Sequence, residues 1–544
     1  MTTVAETVGA TLAALGAGHA FGVVGSGNFA MTNAVRAAGV PFTAARHEGG
    51  AATMADAYGR MSGRVGVVSL HQGCGLTNAV TGIAEAAKSR TPLIVLTADT
   101  PAAALRSNFR IEQELLARSV GAVSDRVYGA ATAPTDVARA YRTAVHDRRT
   151  VVLNVALDVQ AQIIGDDVAP PVPVPDTGPM RPDAASVQAL VTLLRSVRAP
   201  VFVAGRGARG AGPQIAALAA ACGALLATSA VAHGLFAGEP YALGISGGFS
   251  SPVTAELIAG ADLVVGWGCA LNDWTTRHGR LIDSQASIVQ VDLDTDALGA
   301  HRRVTLAVLG DCASTATDTL AAFGGTVAGY RSDGVAARIA ASSRWRDVAV
   351  TDTSTGERID PRVLTIALDR LLPAERIVAV DSGNFMGYPA THLDVPDEFG
   401  FCFTQAFQSI GLGLATAIGA AAARPDRLPV LGTGDGGFLM AIAELETAVR
   451  LGLPLVVIVY NDAAYGAEVH HFGAADMSTV TFPDVDLAAI ARGYGATGVT
   501  VRDVADLDAV GTWLAGPATA PLVLDAKITS DGGAWWLAEA FARH

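Results

Sequence analysis

The sequence is poor in cysteine: its 544 residues contain only five. They lie far apart and form no Cys-x-x-Cys pair, which argues against a disulfide framework and against a zinc site built on thiolates. A reducing compartment is therefore expected, and the default location is the cytoplasm. The cysteines stand at positions 74, 222, 269, 312 and 402.

Long apolar runs are missing as well, although half of the residues are apolar and only 16% are charged. No charge-free apolar run reaches the roughly 18 residues that suggest a membrane-spanning helix. The start of the chain, MTTVAETVGATLAALGAG, lacks the basic segment and the long apolar core of a signal peptide. We therefore expect a soluble protein without a membrane partner.

Positive charge is also scarce. The chain has 38 basic residues against 51 acidic ones, which gives a formal net charge of −13. Such a chain offers no strongly basic surface for a polyanion, so DNA and RNA are not expected as partners. At roughly 150 residues per domain, the length predicts several domains.

Short β-branched apolar runs alternate with alanine-rich segments of helical period along the chain. VGVVSL, NAVTGIAEAAK and PLIVLTA follow one another near the start, and the same alternation returns near the end. Apolar runs that are buried on both faces and separated by helices are typical of parallel sheets. The predicted fold class is α/β, with three Rossmann-like domains that each contain a parallel sheet.

Two segments interrupt this pattern and indicate domain boundaries. Residues 166–183 contain six prolines without apolar periodicity, which predicts a stiff, extended linker. A second polar segment, 331–358, precedes a predicted helix that Asp360 can cap and that has Pro361 at its first position. Domains are therefore expected over 1–165, 185–325 and 359–544. The first and third show a loose parallel, because each has a glycine-rich turn after an early strand.

The most informative segment is 431–466, in which two acidic residues each follow a predicted strand. Asp435 stands in a Gly-Asp-Gly-Gly turn, and Asp462 follows the strand LVVIVY and Asn461. A helix and a returning parallel strand between the two would bring both carboxylates to one edge of the sheet. Carboxylate, carbonyl and phosphate oxygens suit Mg²⁺, and the glycines let backbone N–H groups approach phosphates. Taken alone, a Gly-Asp-Gly turn is equally compatible with a simple loop.

This segment resembles the diphosphate motif of the thiamine-diphosphate-dependent enzymes of the acetolactate synthase, pyruvate decarboxylase and benzoylformate decarboxylase group. The resemblance covers essentially the whole chain and implies a pyrimidine-binding, a central and a diphosphate-binding domain, in that order. It implies thiamine diphosphate and Mg²⁺ as cofactors. The implied metal ligands are Asp435, Asp462 and the backbone oxygen of Ala464. Asp462 replaces the usual asparagine, and Asn461 stays an alternative ligand.

Further cofactor contacts are implied by the same resemblance. The segment from Gln408 resembles the family's Gly-x-Met-Gly-x-Gly pattern, and Ile410 holds the place of the bulky residue that wedges under the cofactor. The segment Asp381-Ser-Gly-Asn-Phe resembles the loop that meets the diphosphate. The implied contacts in this domain are Gly383, Asn384, Phe385, Gln408, Ile410, Gly434, Asp435, Gly436, Gly437, Asp462, Ala464, Tyr465 and Gly466.

In the first domain, the sequence from Ala45 to Arg60 is similar to the family's Arg-His-Glu-x-x-Ala motif. The resemblance makes Glu48 the catalytic glutamate that binds N1′ of the cofactor's aminopyrimidine ring. A carboxyl group held against a ring nitrogen favours the tautomer that removes the reactive proton of the cofactor. Without the surrounding match, Glu48 would be interpreted as an acidic residue placed favourably at a helix N-terminus.

Three further residues are candidates for substrate chemistry. Ser26 and His71 look like the serine and histidine that benzoylformate decarboxylase uses for its substrate carboxylate and for proton transfer, and Glu468 falls where pyruvate decarboxylase has an active-site glutamate. The alternatives are a histidine that fills a domain interface and a glutamate on a solvated helix surface. His470 and His471 can line the same entrance. Arg110 and Gln113 are weaker candidates for substrate contact.

The central domain argues against a flavin. Where FAD-containing acetolactate synthases have an arginine and a Met-His-Gly segment, this chain has Ala270 and Gly244-Ile-Ser-Gly-Gly. We therefore expect no FAD. The turn Gly205-Arg-Gly-Ala-Arg-Gly210 lacks the GxGxxG spacing of a dinucleotide site, although a dinucleotide-dependent oxidoreductase stays an alternative. A non-catalytic homologue is a second alternative, but it would be expected to have lost Glu48 or a metal ligand.

The resemblance implies a carbon–carbon lyase or carboligase of the acetolactate synthase type. Such an enzyme decarboxylates a 2-oxo acid and joins the remaining unit to an aldehyde or a second 2-oxo acid. The alternative is a decarboxylase of the benzoylformate type, which releases an aldehyde. A homodimer or homotetramer is expected, because family members build each active site from two subunits.

Overall fold

The computed structural model describes residues 1–165, 168–169, 173–175, 177–530 and 535–540. The predicted linker, 166–183, lies partly outside these residues. The described chain contains three six-stranded sheets, and every strand pairing in them is parallel. The predicted α/β fold class is confirmed.

The first sheet has the strand order β2-β1-β3-β4-β6-β5. Its central strands β3, β4 and β6 are buried along their whole length, as their mainly apolar sequences predict. The strands are β1 (His19–Gly22), β2 (Phe42–Ala44), β3 (Gly66–Leu70), β4 (Leu93–Asp99), β5 (Val123–Arg126) and β6 (Thr150–Ala156). The helices are α1 (Val4–Ala14), α2 (Phe29–Ala37), α3 (Glu48–Ser62), α4 (Cys74–Asn78), α5 (Val80–Lys88), α6 (Gln113–Ser119), α7 (Ala133–His146) and α8 (Leu157–Gln160).

The central sheet has the order β12-β11-β10-β7-β8-β9, which is the doubly wound order in which the first and fourth strands lie side by side. Its strands are β7 (Pro200–Ala204), β8 (Leu225–Thr228), β9 (Ala242–Ile245), β10 (Leu263–Trp267), β11 (Ser287–Asp292) and β12 (Leu306–Leu309). The helices are α9 (Ala184–Ser196), α10 (Gly212–Cys222), α11 (Pro252–Ala259), α12 (Cys312–Phe323) and α13 (Asp333–Ser342).

The third sheet has the order β14-β13-β15-β16-β18-β17. Its strands are β13 (Arg376–Val380), β14 (Phe401–Phe403), β15 (Leu428–Gly434), β16 (Val456–Asn461), β17 (Thr497–Val501) and β18 (Leu522–Lys527). The helices are α14 (Pro361–Leu371), α15 (Gly387–His392), α16 (Gly413–Ala423), α17 (Asp435–Met440), α18 (Ala443–Arg450), α19 (Gly466–Phe472), α20 (Leu487–Gly493), α21 (Asp508–Ala515) and α22 (Trp535–Ala540). Asp360 caps α14, as its sequence predicts, by accepting the N–H of Arg362 at 2.8 Å.

The first and third sheets have the same strand order when the strands of each domain are counted from its start. The helix that follows the second strand is α3 in one domain and α16 in the other, and these two helices pack against each other. A single apolar core continues across the contact and includes Met54, Leu414 and Ile418. The helices approach so closely at Gly419 that a Cβ there would lie 2.1 Å from the carbonyl oxygen of Met54.

Membrane-spanning elements were also sought. Within the described ranges, none of the helices combines the length and the apolar character needed to cross a bilayer.

Candidate active site

Asp435 and Asp462 lie at the same edge of the third sheet. β15 ends at Gly434 and β16 ends at Asn461, and the two strands pair in parallel with Gly434 opposite Tyr460. The two aspartates directly follow these strand ends, where the carboxyl ends of parallel strands meet. The sequence spacing had predicted this placement. The intervening segment forms two helices, α17 and α18, before the chain returns as β16.

The two carboxylates face each other closely enough to affect each other's ionisation. Burial and the charge of Asp462 raise the pKa of Asp435 to about 7. Burial also raises the pKa of Asp462. Two carboxylates held side by side in a low-dielectric environment are stabilised in their ionised form by a cation between them. The donor set therefore fits a hard divalent cation such as Mg²⁺.

Backbone geometry holds Asp462 in this position. The N–H of Ala464 donates to Asp462 Oδ1 at 3.3 Å, and the preceding residue, Ala463, has a positive φ of 57° that turns the chain sharply. A Cβ on Gly466 would lie 2.4 Å from Asp462 Oδ2, so a larger residue there would displace the carboxylate from this position. In the part of the chain that the structure describes, no cluster of three or more His, Cys, Asp or Glu side chains forms a metal site. A metal here would need backbone oxygen and diphosphate oxygen as its other ligands.

A cavity of about 1460 Å³ opens in front of this pair. Its wall includes Asn384, whose Oδ1 is buried without a partner, and Gln405, whose Nε2 is likewise buried without one. Buried polar atoms normally have a hydrogen-bond partner, so these two atoms indicate that the cavity receives a polar ligand. All thirteen cofactor contacts predicted in the third domain line this cavity. They are Gly383, Asn384, Phe385, Gln408, Ile410, Gly434, Asp435, Gly436, Gly437, Asp462, Ala464, Tyr465 and Gly466.

The segment 404–412, which we call the wedge segment, carries Ile410 on the cavity wall. Gln408 has a φ of 59°, which costs about 1–3 kcal/mol for a residue other than glycine. Asp381 fixes the end of the segment, because its Oδ1 accepts the N–H groups of Gly411 at 3.0 Å and Leu412 at 3.2 Å. Burial raises the pKa of Asp381 to about 6. Sequence reasoning had not given Asp381 this role.

The first-domain candidates lie together at the start of α3 and the end of β3. Glu48 begins α3, is half-buried, and accepts the amide N–H of Asn78 at 3.0 Å. A Cβ on Gly75 would lie 3.1 Å from His71 Cβ and 3.7 Å from Glu48 Oε1, and one on Gly25 would lie 2.7 Å from His71 Cδ2. Glu48, His71 and the turn that carries Ser26 are therefore neighbours.

His71 has a defined tautomer in this arrangement. Its Nδ1 lies 2.9 Å from the carbonyl oxygen of Gln72. Because a carbonyl only accepts hydrogen bonds, Nδ1 carries the proton and Nε2 keeps a lone pair. The ring also packs edge-on against Phe109, with centroids 4.9 Å apart. A histidine held in this way can take up a proton at Nε2 and return it.

The structure separates these three residues from the cavity, although other first-domain residues, such as Arg60, do line it. Glu48, His71 and Ser26 do not line the cavity that contains Asp435 and Asp462, whereas Glu468 does. Large apolar side chains are exposed near the first-domain group, among them Val24 at 40%, Phe29 at 60% and Phe109 at 43%. Within one chain, the group formed by Glu48, His71 and the Ser26 turn therefore lies apart from the cavity that contains Asp435 and Asp462.

The weaker candidates have different positions. Gln113 is buried and binds Gly73, Ala98 and Asn154, so it supports the loop after His71 and has no free group for a substrate. Arg110 is exposed, and His470 and His471 lie on α19. The Asn461 side chain donates to Asp525 at 2.7 Å and accepts the Ala463 N–H at 3.1 Å. Because both of its polar atoms are in use, Asn461 is a poor alternative metal ligand.

The glycine-rich turn after β7 also has a structural explanation. A Cβ on Gly205 would lie 2.3 Å from the carbonyl oxygen of Gly268, and one on Gly207 would lie 2.9 Å from Gly268 Cα. The glycines therefore allow this turn to pack closely on the loop after β10. That contact accounts for their presence without a bound dinucleotide.

Comparison with protein families decides the assignment. Models of the N-terminal, central and C-terminal domains of thiamine pyrophosphate enzymes match residues 2–118, 187–320 and 381–526, respectively. The chain belongs to the thiamine pyrophosphate enzyme family. Thiamine pyrophosphate is another name for thiamine diphosphate, so the resemblance seen in the sequence is confirmed. This thiamine pyrophosphate enzyme is accordingly a cofactor-dependent decarboxylase or carboligase.

Relatives of this thiamine pyrophosphate enzyme have several names. A sulfoacetaldehyde acetyltransferase of Rhodobacter capsulatus is 30% identical over 90% of this chain and 87% of its own length. A probable 2-ketoarginine decarboxylase of Pseudomonas aeruginosa is 30% identical over 91% of this chain and 88% of its own. An acetolactate synthase large subunit of Parasynechococcus marenigrum is 28% identical over 84% of this chain and 76% of its own length.

Proposed function

We propose that this enzyme decarboxylates a 2-oxo acid and transfers the remaining unit to a carbonyl acceptor, an aldehyde or a second 2-oxo acid. The observation that carries the proposal is the Asp435–Asp462 pair at the wall of a large cavity, with Ile410 on the same wall. The names of two relatives, an acetolactate synthase and a 2-ketoarginine decarboxylase, agree with this class of substrate. Release of an aldehyde is the second candidate, favoured by the position of Glu468 in the cavity.

Each proposed residue has a role that follows from its chemistry. Asp435, Asp462 and the backbone oxygen of Ala464 would hold Mg²⁺, a hard cation that suits oxygen ligands and the diphosphate. Thiamine diphosphate, when bound, would supply a nucleophilic carbon that adds to the substrate carbonyl and a cationic ring that takes up the electron pair left when CO₂ departs. The carboxyl group of Glu48 would hold a proton against a ring nitrogen of the cofactor. The turn at Ser26 meets the substrate carboxylate.

Proton transfer to the substrate has two candidate donors in this proposal. His71 exchanges a proton at Nε2, the nitrogen that its contact with Gln72 leaves free. Glu468 delivers a proton to the carbon that has lost CO₂, from the cavity wall beside Asp462. His71 belongs to the first-domain group and Glu468 lines the cavity, so both act on one substrate only where such a group and a cavity meet.

We infer that the complete site forms between two copies of the chain, in a homodimer or in a homotetramer of such dimers. Glu48, His71 and Ser26 of one copy would face the cavity of the other. Two observations support this arrangement: the first-domain group does not line the cavity of its own chain, and it is bordered by exposed apolar side chains. Enzymes of this family are generally oligomeric.

Mixing inactive subunits tests the shared site. Glu48→Gln and Asp435→Ala chains are each expected to be inactive, and a mixed dimer contains one site in which both residues are intact. Activity is expected to return on mixing, because about half of the sites in each mixed dimer would be active. Proven subunit exchange without any recovery of activity would contradict the shared site.

Cofactor binding tests the metal ligands. Asp435→Ala is expected to abolish Mg²⁺-dependent binding of thiamine diphosphate in calorimetric titration. Asp426→Ala is the matched control, because Asp426 is an exposed residue of the same domain whose ion pair is with Arg424. Unchanged affinity in Asp435→Ala would contradict the assignment.

Two further expectations complete the proposal. We propose that the enzyme contains no FAD, because Ala270 and the Gly244-Ile-Ser-Gly-Gly segment replace the family's flavin contacts; flavin absorbance of the purified protein tests this. We also propose a cytoplasmic location, because the five cysteines are free, as is usual in a reducing compartment. Localisation of a tagged chain tests this proposal. Product analysis with a panel of 2-oxo acids, with and without aldehydes, separates ligation from aldehyde release.

A further inference from the structure

Glu85 is a buried carboxylate of the first domain that binds the backbone of the third. It lies on α5 with no exposed surface. Its Oε1 accepts the N–H of Ala406 at 3.0 Å, and its Oε2 accepts the N–H of Phe407 at 2.6 Å. Both N–H groups belong to the wedge segment. Neither the family motifs nor the spacing of charged residues had pointed to Glu85.

Arg60 holds Glu85 and the same piece of backbone at once. Its Nη2 lies 2.7 Å from Glu85 Oε1, and its Nη1 donates to the carbonyl oxygen of Phe403 at 2.9 Å. Asp56 is the second carboxylate on this guanidinium, with Oδ2 at 2.6 Å from Nη2. The Arg60–Glu85 ion pair therefore binds the backbone at two places: Arg60 binds Phe403, just before the wedge segment, and Glu85 binds Ala406 and Phe407 within it.

The groups around Glu85 favour its ionised form. Burial alone raises the pKa of Glu85, but the Arg60 charge and the N–H groups of Phe407 and Ala406 lower it, and the net pKa lies below the usual range. A buried ion pair adds little net stability, because desolvation offsets its attraction. Hydrogen bonds to an ionised group are, however, short and strongly directional. The main effect of the pair is therefore to fix geometry.

The wedge segment is held at both ends and strained in the middle. Glu85 fixes Ala406 and Phe407, and Asp381 fixes Gly411 and Leu412. Between them, Gln408 keeps a φ of 59°. Strained backbone persists only where its surroundings determine it. The two carboxylates, one from each domain, supply those constraints.

We propose that Glu85 is a positioning residue of the cofactor site, which acts from the first domain by holding the wedge segment in the conformation that presents Ile410 to the cavity. The inference rests on the proposed function, because the wedge segment matters only if the cavity receives thiamine diphosphate. Glu85 does not itself line the cavity.

Three substitutions separate the hydrogen bonds from the charge. Glu85→Gln removes the charge and places an amide N–H against backbone donors. Glu85→Asp keeps the charge near Arg60 but withdraws the oxygens by one methylene, so it tests the same contact if Glu85→Gln folds poorly. Asp56→Asn is the control. It removes the other carboxylate that binds the Arg60 guanidinium, and the hydrogen bonds of the Asp56 side chain go to Arg60 and Thr91 and not to the wedge segment.

Two readouts are needed, one of them without cofactor. Hydrogen exchange of residues 404–412 in the cofactor-free protein is expected to become about tenfold faster in both Glu85 variants and to stay unchanged in Asp56→Asn. The dissociation constant for thiamine diphosphate with Mg²⁺ is expected to rise about tenfold in the same two variants, which corresponds to about 1.4 kcal/mol. Far-ultraviolet circular dichroism and melting temperature report whether each variant is folded.

The outcomes distinguish this inference from the proposed function. A wild-type protein that binds thiamine diphosphate, with Glu85→Asp equal to wild type in both readouts, overturns the inference alone. Equal losses in Glu85→Gln and Asp56→Asn, with Glu85→Asp unaffected, would show that the charge on Arg60 matters and the N–H contacts do not, and would also overturn it. A wild-type protein that fails to bind thiamine diphosphate overturns the proposed function and the inference together.

Discussion

Replacing Gly419 by alanine probes the contact between α3 and α16 with a change of one methyl group. At an open helix position this substitution stabilises a protein by about 1 kcal/mol, because glycine is the poorer helix former. At Gly419 the new Cβ would lie 2.1 Å from the carbonyl oxygen of Met54, whereas ordinary contacts begin at 3.4 Å. The helices would have to separate by about 1.3 Å, because a backbone oxygen cannot rotate away as a side chain can.

The expected cost follows from these two effects. Overpacking a close-packed core costs about 1–3 kcal/mol, and a clash with backbone belongs at the upper end of that range. After subtraction of the propensity gain, Gly419→Ala is expected to destabilise the protein by about 2 kcal/mol. For a cooperative unit of about 150–250 residues, this lowers the melting temperature by about 4–8 °C. Because α3 begins at Glu48, kcat is expected to fall as well.

Gly511 provides the matched control. It is an exposed residue of helix α21, and a Cβ there would have no heavy atom within 4 Å. Gly511→Ala is expected to raise the melting temperature by about 2–4 °C, the opposite sign. Differential scanning calorimetry of both variants and of wild type, without cofactor, is the assay. A Gly419→Ala variant that melts at or above the temperature of wild type would refute the reasoning.

Three other outcomes are expected. Gly466→Ala pushes a Cβ to 2.4 Å from Asp462 Oδ2, so the Mg²⁺ concentration needed for half-maximal cofactor binding should rise about tenfold in calorimetric titration; an unchanged value would contradict the ligand assignment. Burial raises the pKa of Asp360, but hydrogen bonds, including those from Arg362 and Thr353, outweigh it and lower the pKa to about 2, so the ionised carboxylate contributes about 2 kcal/mol to the free energy of unfolding above pH 4. This contribution is lost as the pH falls towards 2, and the melting-temperature difference between wild type and Asp360→Asn should therefore shrink over that range. A difference that grows as the pH falls would contradict the prediction. Glu468→Gln should slow aldehyde release by roughly 10²–10⁴-fold, while the rate of CO₂ loss in a single turnover stays nearly unchanged. If wild type and Glu468→Gln give the same ratio of aldehyde to ligated product, His71 would be the proton donor instead.

The sequence predicted those features that depend on local pattern. Short apolar runs such as LIVL in β4 indicated strands of parallel sheets, and the described chain has three parallel sheets. The positions of Asp435 and Asp462 after two strands were enough to predict that they meet at one sheet edge. The N-cap of α14 followed from Asp360 and Pro361. Each of these signals is contained within a few residues or within one strand–helix–strand unit.

The sequence did not reveal the contacts that join distant segments. Glu85 binds backbone N–H groups more than 300 residues away, and every peptide unit except that before proline offers the same N–H, so no residue type marks the partner. Asp381 appeared in a recognised motif, yet its hold on Gly411 and Leu412 became visible only in the folded chain. The separation of Glu48 from the cavity likewise depends on how whole domains pack.

The shared strand order of the first and third sheets means that the two domains meet through equivalent helices, each the one that follows the second strand. In both domains the chain at the start of that helix carries a candidate for the cofactor site. Glu48 is the first residue of α3, and the wedge segment directly precedes α16. The same position of one architecture is therefore used twice in the molecule, once for an acidic side chain and once for a strained backbone turn.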